Sequence, residues 1–113
     1  MATKLETSYP VNSNDVYLTV IIGEAQLGSS SVTLDSEILC TGEIKDLKIG
    51  NGNDIKGKML RVKSIVTDIN DNTNRTSIIY RFRGRKADTE YLLEETVSQD
   101  GDSVIYRAYI KFI

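Results

Sequence analysis

The chain has 113 residues, 40% of them hydrophobic, with 14 lysines and arginines against 16 acidic residues. This length suits one domain with a single two-layer core. The net charge of −2 and the pI near 5.1 argue against a nucleic-acid partner, which usually selects a basic surface. The absence of histidine removes the most common general base, so we expect no enzyme.

The chain carries no mark of export or of membrane insertion. Its single cysteine, Cys40, excludes an internal disulfide. The first residues contain no apolar signal segment, and no run approaches the roughly 18 apolar residues of a membrane span. We therefore expect a cytoplasmic protein without membrane contact, or a secreted one if a signal peptide has been removed.

The first half of the chain predicts short strands separated by polar loops. Residues 1–15 are polar and are expected to form a flexible N-terminal arm, whereas residues 16–113 form the domain. The expected elements are a strand at 16–22, a loop at 24–31, short strands at 31–34 and 37–40 around an Asp35-Ser36 turn, a bulged strand at 43–49, and a loop at 50–57.

The second half alternates apolar and polar residues with a period of two, which predicts long, half-buried strands. The expected inward sets are Leu60, Val62, Ser64 and Val66 in the strand at 59–69, and Ile78, Tyr80 and Phe82 in the strand at 76–83. Asp100-Gly101 then separates two alternating runs, which predicts a hairpin. In that hairpin Val97 faces Val104, and the inward set of the last strand includes Phe112.

Together these elements predict an all-β fold of seven or eight strands, with the last four as a meander and no helix. A single sheet of this size would leave one apolar face in water, so a second layer is needed. The expected fold class is a two-sheet antiparallel β-sandwich, of jelly-roll or Ig-like type, with a closed barrel as the alternative.

Two sets of residues are candidates for an interface. Ile105, Tyr109 and Ile113 lie on the outer set of the last strand, where a monomer would leave them in water. Arg81 and Arg83 belong to the main cluster of cations. Cross-strand ion pairs are the alternative for these arginines, with Arg81 opposite Glu94 and Arg85 near Glu90.

The loops rich in asparagine and aspartate are candidates for a calcium site, since calcium takes six to eight oxygen ligands. Residues 68–72 resemble the D-x-N-D-N calcium linker of cadherins, and residues 50–54 resemble one repeat of the RTX β-roll, but neither continues into the rest of its motif. The candidate ligands are Asp54, Asp68, Asn70, Asp71 and Asn72. Ordinary turn chemistry is the alternative, because the same residues tolerate φ > 0.

The predicted function is a non-enzymatic binding or assembly module that acts by self-association or by contact with a protein partner. The first alternative is a calcium-dependent, lectin-like module that binds carbohydrate. The second is a small hydrolase, for which Glu95 is a lone carboxylate without the second acid that glycosidase chemistry needs. No cofactor is expected, with calcium as the one candidate.

Overall fold

The computed structural model describes residues 3–84 and 88–113, which form nine strands and one short helix. The elements are β1 (Lys4–Tyr9), β2 (Asp15–Ile22), β3 (Leu27–Leu34), β4 (Glu37–Gly42), β5 (Leu47–Asn51), α1 (Gly52–Ile55), β6 (Met59–Thr67), β7 (Arg75–Arg83), β8 (Thr89–Thr96) and β9 (Ser103–Phe112). Among these residues, no helix is long and apolar enough to cross a membrane.

The described strands form two sheets, as predicted, but they number nine instead of the expected seven or eight, because residues 4–9 add a strand. The five-stranded sheet has the order β1-β9-β6-β3-β4, and the four-stranded sheet has the order β5-β2-β7-β8. All neighbouring strands are antiparallel except β1 and β9, which run parallel. The sheets do not close into a barrel, so the barrel alternative is wrong.

Alternating side chains from both sheets form one core. The inward sets predicted for β6 and β7 are confirmed, because all their members are buried. Aromatic rings connect the two layers: the centroid of the Tyr9 ring on β1 lies 5.0 Å from that of Phe82 on β7. Ser64 is buried among apolar residues, and its hydroxyl forms a 2.6 Å hydrogen bond with that of Ser30 on β3.

The predicted hairpin between the last two strands is wrong, and so is the meander that contained it. β8 pairs with β7 in the four-stranded sheet, whereas β9 lies between β6 and β1 in the five-stranded sheet. Val97 and Val104 are both buried, but they are not cross-strand partners. The alternating runs that contain Val97 and Val104 have the same pattern in both arrangements. Two such strands can be neighbours in one sheet, or they can face each other across the core.

Asp100-Gly101 still turns the chain, with Gly101 at φ +86, but it does so between the two sheets. The β6–β7 loop holds both ends of this crossing: Val97 N donates to Asn74 O, and Asp68 N donates to Asp102 O, each at 2.9 Å. Such long-range contacts leave no trace in the local sequence pattern.

The first half of the chain differs from the expectation in several boundaries. Residues 4–9 of the expected arm form β1, which lies beside β9, whereas residues 1–2 are outside the described part. The loop expected at 24–31 is shorter, because β3 begins at Leu27. The strand expected at 43–49 begins at Leu47, and the expected bulge lies within it, because Ile49 is the extra residue between Lys48 and Gly50. The expected loop at 50–57 contains helix α1.

The buried tyrosine of β7 predicts a loss of stability in alkali. Burial raises the pKa of the Tyr80 hydroxyl well above its ordinary value of 10.0. The folded protein therefore favours the neutral hydroxyl. The contribution of Tyr80 to the stability of the fold is intact below pH 10 and declines as the pH rises above that value. At pH 11 we expect wild type to lose roughly 1.4 kcal/mol more stability, relative to pH 8, than Tyr80→Phe. Urea unfolding at both pH values measures this difference, and equal losses in the two proteins would contradict it.

Candidate functional site

The residues predicted to form an interface lie on two different surfaces of the molecule. Ile105 and Tyr109 point outward from β9 in the five-stranded sheet, and Ile113 follows that strand with 49% of its surface exposed. Arg81 and Arg83 point outward from β7 in the four-stranded sheet. These five residues therefore cannot form one continuous patch.

The two predicted arginines of β7 already have partners. Arg81 forms an ion pair with Glu90 of β8. This differs from the predicted register, because the residue opposite Glu94 is Ser77. Arg83 lies 3.6 Å from the Asp46 carboxylate, and its guanidinium carbon is 4.4 Å from the centre of the Tyr17 ring. The predicted contact of Arg85 with Glu90 lies outside the described residues.

The outer face of the five-stranded sheet carries a set of cations that sequence reasoning missed. We define the cationic face as Lys4, Arg61, Lys63, Arg107 and Lys111, which lie on the adjacent strands β1, β6 and β9. All five are exposed. Lys4 pairs with Glu6 at 2.8 Å, but the other four have no ion pair within the described part of the chain.

The strand register concentrates like charge at the centre of this face. Lys63 on β6 lies directly opposite Arg107 on β9, and Lys4 on β1 is the partner of the same Arg107 on the other side. Like charges in directly opposite positions destabilise a sheet. In water, two unit charges about 4 Å apart interact by roughly 1 kcal/mol. An anionic group bound between them would remove this repulsion.

A shallow groove of about 260 Å³ lies beside these charges and is lined by residues of β3, β6 and β9. Its polar lining consists of Ser31, Thr33, Arg61, Lys63, Arg107 and Tyr109. Tyr109 lies opposite Arg61, and the Lys4 ammonium is 5.5 Å from the centre of its ring. The groove therefore offers cations, hydroxyl groups and one aromatic ring to an anionic partner.

The candidate calcium ligands are divided between the two ends of β6. Asp54 is exposed in α1, before the strand begins, whereas Asp68 follows its last residue. A strand of nine residues spans about 30 Å, so these two carboxylates cannot bind the same ion. Asn70, Asp71 and Asn72 belong to the loop that follows Asp68, with Asp71 and Asn72 exposed.

The Asp68 carboxylate is buried in a network that we call the loop hub, consisting of Gln26, Asp68, Asn74 and Asp100. Gln26 Nε2 donates to Asp68 Oδ1 at 2.8 Å. With its carboxamide nitrogen turned toward the carboxylates, Asn74 donates to Asp68 Oδ2 at 2.8 Å and to Asp100 Oδ1 at 2.6 Å. Both oxygens of the buried carboxylate thus accept hydrogen bonds from the protein.

No group of three or more cysteine, aspartate or glutamate residues is arranged to hold a metal ion in residues 3–84 and 88–113. The calcium site and the carbohydrate role derived from it stay predictions. The network instead connects the β2–β3, β6–β7 and β8–β9 loops. Gln26 was missed by sequence analysis, because a lone glutamine in a polar loop carries no signal of burial.

Glu95, the lone carboxylate of the hydrolase alternative, is half-buried at the end of β8. Its side chain accepts a hydrogen bond from Thr96 N at 3.1 Å, and its main-chain oxygen accepts one from Thr76 Oγ1 at 2.7 Å. The Thr76 hydroxyl also bonds the Tyr106 hydroxyl, and burial raises the pKa of Tyr106. This arrangement holds β7, β8 and β9 together.

No protein-family model matches the chain, and no curated protein and no solved structure matches it either.

The outer surfaces of the two sheets differ in one respect that bears on function. Arg81 and Arg83 of the four-stranded sheet are paired with acids, although Arg75 at the start of β7 is not, whereas four of the five residues of the cationic face have no ion pair in the described part of the chain. The cationic face is therefore the candidate functional site.

Proposed function

We propose that this protein is a non-enzymatic binding module that docks an acidic surface of a protein partner on its cationic face. The observation that carries the proposal is the direct opposition of Lys63 and Arg107 at the centre of the face. A partner that places carboxylates there converts repulsion into charge-assisted hydrogen bonds, which are stronger than neutral ones. Complementary charge also increases the rate of association.

The composition of the face supports a protein partner in particular. Ile65 and Ile105 lie opposite each other next to the cations, with 45% and 39% of their surfaces exposed. Tyr109 is half-buried between Arg107 and Lys111. Arginine and tyrosine are enriched in protein interfaces, and apolar side chains beside them supply contact area. A sheet face of this kind offers a broad contact surface to a folded partner.

The proposal includes the non-enzymatic role, for which the main support is the absence of histidine from the chain. We also propose that the two sheets form a β-sandwich of jelly-roll or Ig-like type. The cationic face exists in either type, because it depends only on the adjacency of β1, β9 and β6.

Titration with a hexaglutamate peptide, followed by amide chemical shifts of the labelled protein, tests the proposal. At about 20 mM salt, where screening is weak, we expect shifts concentrated at Lys63, Arg107 and Tyr109. Arg107→Ala should weaken binding roughly tenfold, because the central cation is lost. Lys56→Ala is the matched control, since Lys56 is an exposed cation beyond the cationic face, and it should bind like wild type.

Two outcomes would contradict the proposed function. One is an equal effect of Arg107→Ala and Lys56→Ala, which would show that net charge alone attracts the peptide. The other is tighter binding of hexathymidylate, a single-stranded DNA of matched length, which would make the face a nucleic-acid surface instead.

A further inference from the structure

The outer side of β8 carries the chemical complement of β9. β8 is an edge strand of the four-stranded sheet, and its outward side chains include Glu90, Leu92 and Glu94. Leu92 has 55% of its surface exposed, which is high for a large apolar side chain between two acids. Glu94 has no ion pair in the described part of the chain, whereas Glu90 pairs with Arg81.

The outward side chains of β9 follow the same pattern with the opposite charge. Arg107, Tyr109 and Lys111 present a cation, an aromatic ring and a cation. Outward residues on a strand are two positions apart, so each step is about 7 Å on both strands. Both patterns are also symmetric about their central residue. The acids of β8 therefore coincide with the cations of β9 whichever way the two strands run past each other.

We infer that the occupant of the cationic face is a second copy of this chain, docked through the outer side of its β8. The inference rests on the proposed function, to which it adds the identity of the partner. Leu92 packs on Tyr109, while Glu94 and Glu90 contact the cations on either side of that ring. Glu94 contributes most, because it has no competing ion pair in the described residues.

This contact joins two different surfaces, so it is heterologous. The donor strand belongs to the four-stranded sheet and the acceptor face to the five-stranded sheet. A copy that uses its β8 still has a free cationic face, and the next copy can dock there. Head-to-tail contacts of this kind produce rings when the rotation closes and filaments when it does not. Assembly then depends on concentration and weakens in salt.

Sedimentation of the full chain, with charge-reversed variants, tests the inference. At low salt we expect the average mass of wild type to rise between about 10 µM and 1 mM. Arg107→Glu alone and Glu94→Lys alone should each weaken association by at least roughly tenfold, because like charges then meet at the contact. An equimolar mixture of the two variants should associate again, since the unchanged β8 of one fits the unchanged face of the other.

Lys56→Glu makes the same change in net charge as Arg107→Glu and should associate like wild type. Both test positions are exposed, and recovery in the mixture requires that both variants are folded. Three results would overturn the inference: a monomeric wild type at about 1 mM and low salt, an unchanged association in both variants, or a mixture that fails to recover. If hexaglutamate still bound the face of a monomeric protein, the proposed function would stand while the identity of the partner would fall.

Discussion

Replacing Phe112 with alanine is expected to lower the free energy of unfolding by roughly 3–5 kcal/mol, a large part of a small domain's stability. The Phe112 side chain is fully buried near the end of β9. Its ring centroid lies 6.2 Å from that of Tyr9 and 6.4 Å from that of Phe82, both in edge-to-face geometry. The ring thus contacts both β1 in its own sheet and β7 in the opposite sheet, so its loss weakens both. Urea unfolding of the variant measures the change.

Ile113→Ser is the matched control for this experiment. Its side chain is 49% exposed, and its main-chain hydrogen bonds to Val11 and Tyr9 are kept by the substitution. We expect a change within about 0.5 kcal/mol. A harmless Phe112→Ala beside a severe Ile113→Ser would mean that the inward and outward sets of β9 are exchanged.

Replacing Gln26 with alanine is expected to cost roughly 3 kcal/mol, because one side chain serves several buried partners. Gln26 Nε2 donates to Asp68 Oδ1 at 2.8 Å and to Arg75 O at 3.0 Å. Gln26 Oε1 accepts from Ile69 N at 2.7 Å and from Asn70 N at 2.9 Å. Alanine leaves these groups without their partner in the loop hub. Thermal unfolding and amide hydrogen exchange of residues 68–75 measure the effect.

Gln99→Ala provides the comparison, since Gln99 is an exposed glutamine in the β8–β9 loop. Gln99 bonds Asp102 through its main-chain nitrogen and oxygen, so the side chain can be removed at little cost. We expect its melting temperature to stay close to that of wild type. If both glutamine variants lost the same stability, the burial of Gln26 would not be the cause.

Local periodicity was sufficient to predict which side chains point into the core. The alternating residues of β6, β7 and β9 are buried and exposed as expected, because successive side chains of a strand point to opposite faces. The turn at Asp35-Ser36 was also predicted correctly, with Asp35 at φ +51. Both features depend only on a few neighbouring residues.

Strand pairing could not be predicted in the same way. Two strands with inward apolar residues can be neighbours in one sheet, or they can face each other across the core from opposite sheets. The hairpin prediction placed β8 and β9 side by side in one sheet. The parallel pairing of β1 with β9 joins residues about a hundred positions apart, such as Lys4 and Arg107. The polar composition of β1 led to the prediction of a flexible arm. That prediction was wrong because β1 is held by β9, a strand at the other end of the chain, which local composition does not reveal.

The sequence by itself determined the β class of this protein and the inward sides of its longest strands, since both follow from side-chain type and a period of two. The tertiary structure decided the rest. Arg61 and Lys63 form a single face with Arg107 only because β6 and β9 are neighbours, although more than forty residues separate them in the chain. Glu90 and Glu94 were assigned to the strand preceding β9 in one hairpin, yet they lie on the other sheet. Charge acts through distance in space, so only the folded arrangement shows which charges repel within one copy and which can attract another.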